Sequence, residues 1–287
     1  MSLLQQTETL KLLFVLYFSI LKSPAVSSSL LGSALEGLAM FAHRINVDFF
    51  RDLLAVLREH VARARAVSLR RNQPVENEHD DDEAGNGSLK SAAAADRRIR
   101  DSLLCLVTAF ELLDGQGEAL NIDLSDFASH LYGVMLQLST VTDLEEAVSI
   151  GNKSHQHLRS SADLLFRALE LALLRPRVSS VSSERAAAFV KRMLSCSLHW
   201  SSPTTVIRCL RMIKVLVVRD PKLAALFDGE DRAHDGGYDP TQEQVDAVRP
   251  LASGETAWEV EILRNSVNAD VRAEAEDLLA AVADALR

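Results

Sequence analysis

Glycine and proline are scarce in this 287-residue chain, at 12 and 7, and aromatic residues make up only 5% of it. Sandwiches and barrels need many tight turns and a supply of β-branched and aromatic residues, so these deficits argue against a sheet-rich fold. Cysteine is sparse too. Cys105, Cys196 and Cys209 are odd in number and lie in apolar helical runs, which speaks against a disulfide framework and predicts buried free thiols in a reducing compartment. Positive charge is in deficit: 31 Lys and Arg stand against 40 Asp and Glu, a net charge of -9 with a pI near 5.4. A domain whose whole surface grips nucleic acid usually has a pI above about 9, so only local basic stripes stay open.

What is present is Leu and Ala among the apolar residues, with Arg and Glu among the charged ones, all of which lose little in a helix. The chain reads as all-α, with roughly nine or ten helices and no convincing segment of strand period. The first apolar run, Leu10 to Leu21, is followed by Ser23, Pro24 and Ala25 and has the outline of a signal peptide. Against secretion, no Lys or Arg precedes the run, Glu8 does, and Lys11 interrupts its start. The run is also shorter than the roughly 20 residues a bilayer needs, so a packed first helix and no membrane contact are expected. Asn86-Gly87-Ser88 and Asn152-Lys153-Ser154 match glycosylation acceptors, a pattern short enough to arise by chance.

Apolar spacing places Leu31, Leu35, Leu38 and Ala42 on one face of the second helix, and Phe49, Phe50, Leu53, Leu54 and Leu57 on the third, which Asn46 would cap. Asn72 to Ser88 then offers only the small apolar residues Val75 and Ala84 among acids, Asn and Gly. It cannot bury enough surface to offset its ordering entropy and should be a disordered acidic insertion. The expected organisation is helical pairs over 1–71, an acidic linker over 72–89 and a helical domain over 90–287. Ser202-Pro203 and Asp220-Pro221 each look like an N-cap followed by Pro at N1. In the last helix Asp270, Val271 and Arg272, then Ala275 and Leu278, have the spacing of the second helix of a HEAT-like repeat, with Asp270 favouring the helix dipole. That suggests an irregular α-solenoid of HEAT- or armadillo-like pairs, each completing its neighbour's core.

Chemistry is thin. The run "QGEALNIDLSDF" (116–127) gathers Asp123, Ser125 and Asp126, followed by Ser129 and His130. Ser129 and His130 are adjacent on a helix and point about 100° apart, so they cannot form a nucleophile–base pair with each other. Asp123 with Asp126 three residues on fits an N-cap and an acid at N3, a structural corner. His155 and His157 have no accompanying metal-ligand motif, and no Gly-rich phosphate loop carries a lysine. No catalytic residue, metal or cofactor is therefore expected. Basic residues recur instead: Arg97, Arg98 and Arg100 at the start of the fourth helix, and Arg208, Arg211 and Lys214 every three residues further on. Such rows can follow an RNA phosphate backbone without reading bases, although a solvated helix face has the same pattern.

With these residues in view, "KLLFVLYFSILK", "ALEGLAMFAHRINVDFFRDLLAVL", "SLLCLVTAFELLDGQGEALNIDLSDFASHLY", "AFVKRMLSCSLHW" and "WEVEILRNSVNADVRAEA" resemble the C-terminal part of the nucleolar complex-associated protein 3 family, including its CCAAT-binding-factor-like (CBF) domain. The "GQGEALNIDLSDF" run is the most specific piece. The resemblance implies a non-enzymatic assembly factor for the large ribosomal subunit in nucleolus and nucleoplasm. It implies a heterodimer with the sister nucleolar complex protein 2 on pre-60S particles and rRNA. For fungal members it implies a link to chromatin and replication licensing. The family's long N-terminal half, with its basic tracts, has no counterpart here, and Asn268-Ala269 stand where the family usually has His and Pro.

Overall fold

The computed structural model describes residues 3–23, 28–41, 47–71, 84–116, 125–141, 144–145, 160–175, 181–228 and 238–287. Among them the structure is all-α, without a strand. The chain divides into two compact units, Met1–Ile122 and Asp123–Arg287.

Among its described residues the first unit has the helices α1 (Leu3–Lys22), α2 (Ser28–Phe41), α3 (Val47–Arg71) and α4 (Ala84–Gln116). The long α4 packs on α2 and α3, and α1 packs on the same two. The expected faces turn inward. Leu31, Leu35 and Leu38 of α2, and Leu53, Leu54 and Leu57 of α3, are buried, as are Leu103, Leu106 and Phe110 of α4, on which both helices pack. Each buried Leu contributes about 1.5–3 kcal/mol relative to exposure. Ala42 and Asn46, and the side chains of Phe49 and Phe50, lie outside the described residues. Phe14 and Leu21 bury the inner side of α1. Tyr17 lies across Gly37 of α2 so closely that a Cβ there would stand 2.7 Å from its ring. His60 of α3 donates from Nε2 to the Leu21 carbonyl, satisfying one of the free acceptors in the last turn of α1.

Residues 72–83 of the acidic stretch lie outside the described residues, but 84–89 are the first turns of α4 rather than linker. The Ala92–Ala95 run just downstream has the highest helix propensity available, and a helix nucleated there gains one hydrogen bond per residue as it propagates back, against about 1 kcal/mol for each of Gly85 and Gly87 relative to Ala.

The second unit contains α5 (Ser125–Leu138), α6 (Ser161–Leu169), α7 (Ser183–Ser197), α8 (Pro203–Arg219), α9 (Glu259–Arg264) and α10 (Ala269–Ala285). The last turn of α6 widens to π geometry at Glu170–Leu174, and 3₁₀ turns occupy Pro221–Leu226 and Val245–Ala247. Caps mark the starts. Ser202 caps α8 with Pro203 at N1, and Asp220 with Pro221 opens the 3₁₀ turn in the same manner. Asn268 caps α10 by accepting from the amides of Asp270 and Val271, at 2.9 and 3.1 Å. A reciprocal capping box does occur, at Ser160 and Asp163 of α6. At the corner read as a capping pair, α5 begins at Ser125 with Asp126 in its first turn, and Asp123 lies outside the described residues.

Helix α7 is central. It touches α5, α8, α9 and both 3₁₀ turns, and it is buried on nearly every side, as a helix surrounded by others must be. Helix α8 packs most extensively on α10, whose Val271, Ala275, Leu278 and Val282 form the expected inward face.

Candidate functional site

The most unusual chemistry sits on α7. Glu184 and Arg185, then Lys191 and Arg192 about two turns on, and Ser195 one turn beyond Arg192, all reach one irregular segment, 238–259. That segment has little regular structure, so its backbone groups need partners from elsewhere. Helix α7 supplies them.

Lys191 is 1% exposed, as is its partner Glu259. Its ammonium lies 2.9 and 3.0 Å from the two Glu259 oxygens and donates to the Thr256 carbonyl at 2.7 Å. It also sits over the rings of Trp258, at 5.2 Å, and Tyr238, at 5.5 Å. Ser195 adds a hydrogen bond to Glu259 at 2.6 Å. An ammonium has three protons, and here all three have acceptors.

Arg192, equally buried, donates from Nε to the Tyr238 hydroxyl at 2.9 Å and from Nη2 to the Gln242 carbonyl at 2.7 Å. Its guanidinium lies 4.0 Å over the Tyr132 ring of α5. The Tyr132 and Tyr238 hydroxyls are 3.3 Å apart, and burial drives the Tyr238 phenol well above its ordinary pKa. About two turns towards the helix start, Arg185 holds Asp246 through two parallel bonds of 2.9 and 3.0 Å and touches Ser125 at 3.2 Å. Glu184 accepts from the Leu251 amide at 3.2 Å. Gly254, at φ 69°, takes the left-handed conformation that ends the turn beyond Pro250.

This arrangement fastens a loop; it does not present a reacting group. Lys191 is saturated with acceptors and closed to solvent, so it offers no free amine. Burial pushes the thiols of Cys105 and Cys196 up to about 12 and raises Cys209 further, which removes thiolate at neutral pH. Ser129 and His130 are both buried in α5. Among the described residues no cluster of His, Cys, Asp and Glu could hold a metal, and no helix is long and apolar enough to cross a membrane. His155 and His157 lie outside the described residues.

The predicted basic row on α8 is engaged inside its own unit. Arg208 pairs with Asp163 at 2.9 Å, approaches Glu145 at 4.0 Å and stacks 4.6 Å over Phe166. Arg211 meets Glu274 of α10 at 2.9 Å, and Lys214 meets Asp277 one turn on. These acids belong to the neighbouring helix face, which the primary sequence does not bring near the row. In the first unit Arg97 and Arg98 are exposed, whereas Arg100 faces inward, where burial lowers its pKa. The three arginines therefore do not form one surface. Asp270 occupies the first turn of α10, and Arg272 donates to the carbonyls of Ser266 and Val267 at 2.8 and 2.9 Å.

Sequence reading passed over Lys191, Arg192, Glu259, Tyr132 and Tyr238. The one available signal was the Lys-Arg pair inside "AFVKRML", where an amphipathic helix has no solvent face to offer it.

Fold and site together define an all-α protein whose unusual charges organise its own architecture. Residues 102–275 match the CBF/Mak21 family, and the chain belongs to it. It is 33% identical over 274 residues to the human nucleolar complex protein 3 homolog, covering 96% of this chain and 28% of that protein. To the zebrafish (Danio rerio) homolog it is 32% identical over 273 residues, 95% of this chain and 28% of the relative. To nucleolar complex-associated protein 3 of Saccharomyces cerevisiae it is 31% identical over 269 residues, 90% and 36% respectively. The chain thus spans about 28% to 36% of the length of these relatives.

Proposed function

We propose that this chain is a non-enzymatic helical scaffold of a nucleolar ribosome-biogenesis factor. The observation that carries the reading is likeness along almost the entire chain to proteins named for a nucleolar complex, at 31–33% identity. Support also comes from the second unit, where Lys191 is buried in an ion pair with Glu259 and burial holds the Cys196 and Cys209 thiols protonated. The scaffold acts in the nucleolus and nucleoplasm on pre-60S particles, in company with the sister nucleolar complex protein 2, and its contact with rRNA is secondary to contact with protein. The pairing of Arg208, Arg211 and Lys214 with acids of their own unit favours that ordering, because each phosphate contact there would compete with an existing ion pair. It also leaves the chromatin and replication-licensing reading with less cationic surface on α8 to draw on.

The test is affinity purification of the tagged chain from nuclear extract, with and without nuclease. Recovery of the sister protein after nuclease treatment is the expected result. Recovery only before nuclease would transfer the function to RNA or chromatin contact, and failure to recover any nucleolar-complex or pre-60S component would overturn the reading.

A further inference from the structure

The outer face of α1 has no partner within the described part of its unit. Leu12, Val15 and Leu16 are 70%, 61% and 53% exposed, an unusual cost for three large aliphatic side chains within two turns of a helix. Counting along that face gives Glu8, Leu12, Val15, Ser19 and Lys22, all exposed and spaced alternately four and three residues apart. That alternation is the seam of a helix that packs lengthwise on another helix. The opposite side, with Phe14 and Leu21, is already committed to the core of the first unit.

The charges on the seam select its occupant. Glu8 and Lys22 each lie seven residues from Val15, about 10 Å along the axis in opposite directions. We propose that the seam is a self-association surface, on which two copies of this chain pair α1 against α1, antiparallel, about a two-fold axis through Val15. In that arrangement Glu8 of each copy meets Lys22 of the other, the two Val15 side chains meet at the centre, and Leu12 and Leu16 close over them. Lys11, on the flank, falls opposite the uncharged Ser19 of the second copy. A parallel pair would set Glu8 against Glu8 and Lys22 against Lys22, and the like charges would oppose it. One patch serves both copies, as a two-fold interface requires. A seam of four turns is smaller than the roughly 800 Å² per partner of stable complexes, so the pair forms as a concentration-dependent dimer. The inference goes beyond the nucleolar reading and does not rest on it.

Sedimentation velocity of the chain alone, at low salt and across a wide concentration range, tests the pairing. The weight-average mass should climb from monomer towards dimer, and Val15→Glu should abolish the climb. Glu8→Lys and Lys22→Glu should each raise the midpoint concentration several-fold, and an equimolar mixture of the two variants should restore or improve on the parent midpoint. All the substituted positions are exposed, and circular dichroism verifies that each variant folds. A constant monomer mass would overturn the proposal. So would a dimer indifferent to Val15→Glu, or a mixture no tighter than either variant alone; the last two results would point instead to another surface or a different partner.

Discussion

The two units of this chain solve the same problem by different means. In the first, helices close on apolar faces, and the buried hydrophobic residues described there are overwhelmingly Leu, Val, Ala and Phe. In the second, a long irregular segment returns across a central helix, and the interior admits a lysine, an arginine and a glutamate at 1% exposure. The difference follows from the backbone. A helix satisfies its own amides and carbonyls, whereas an irregular segment must find donors and acceptors in side chains. Apart from Arg100 of α4, the buried charge lies where the backbone has no ladder of its own.

The largest effect should come from dividing the buried pair. Lys191→Ala leaves the Glu259 carboxylate without its cation in a dry interior, and a loss of about 3–5 kcal/mol is expected. Urea unfolding measures the loss. Hydrogen exchange should place it at 238–264, with residues 3–71 little changed, and equal loosening of both units would erase the contrast between them.

Overpacking the first unit should cost less. Gly37→Val puts a side chain into the Tyr17 ring, and about 1–3 kcal/mol is expected, read as faster exchange in α1 and α2. Tyr17→Leu on that background should recover part of it. No recovery would mean that the close approach is not the cause.

A smaller, pH-dependent term belongs to Asp163. Burial raises its pKa, but the Ser160 amide and hydroxyl and the Arg208 guanidinium outweigh that, and the net value falls below the ordinary carboxylate. A depressed carboxyl stabilises the fold above its unfolded pKa, near 3.9, and loses that contribution as pH falls through the folded value. The stability gap between the parent chain and Asp163→Asn should therefore be open at neutral pH and narrow below about pH 4. A gap that widens on acidification would reverse the assignment.

Least of all should follow from Arg211→Ala, because its pair with Glu274 joins a side chain 67% exposed to solvent. Within about 0.5 kcal/mol of the parent is expected in chemical denaturation.

The same contrast explains what could be read from the letters alone. Periodicity found the inward faces at Leu31, Leu35 and Leu38 and at Val271, Ala275 and Leu278, because a helix writes its neighbour's side into every third or fourth residue. Local chemistry found Ser202-Pro203, since a cap acts within three residues. The partners of Lys191 lie 65 and 68 residues away in an aperiodic segment, and no local rule joins them. The α8 row was visible as a row, but Glu274 and Asp277 face it only because α10 folds back on α8. The capping box at Ser160 was hidden for a different reason: the polar run before it has the composition of a loop right up to the first helical residue.

Removing the charge of the α7 cluster without emptying its space, in the double variant Lys191→Met, Glu259→Leu, asks whether the cluster is architecture and partner contact lies elsewhere. Hydrophobic replacement of a buried ion pair is often neutral or stabilising, so this variant should unfold close to the parent. Captured from nuclear extract after nuclease treatment, it should recover the proposed partner to the same extent as the parent chain. A double variant that folds normally yet recovers none of it would contradict the account, and would make the buried Lys–Glu pair a functional group in its own right.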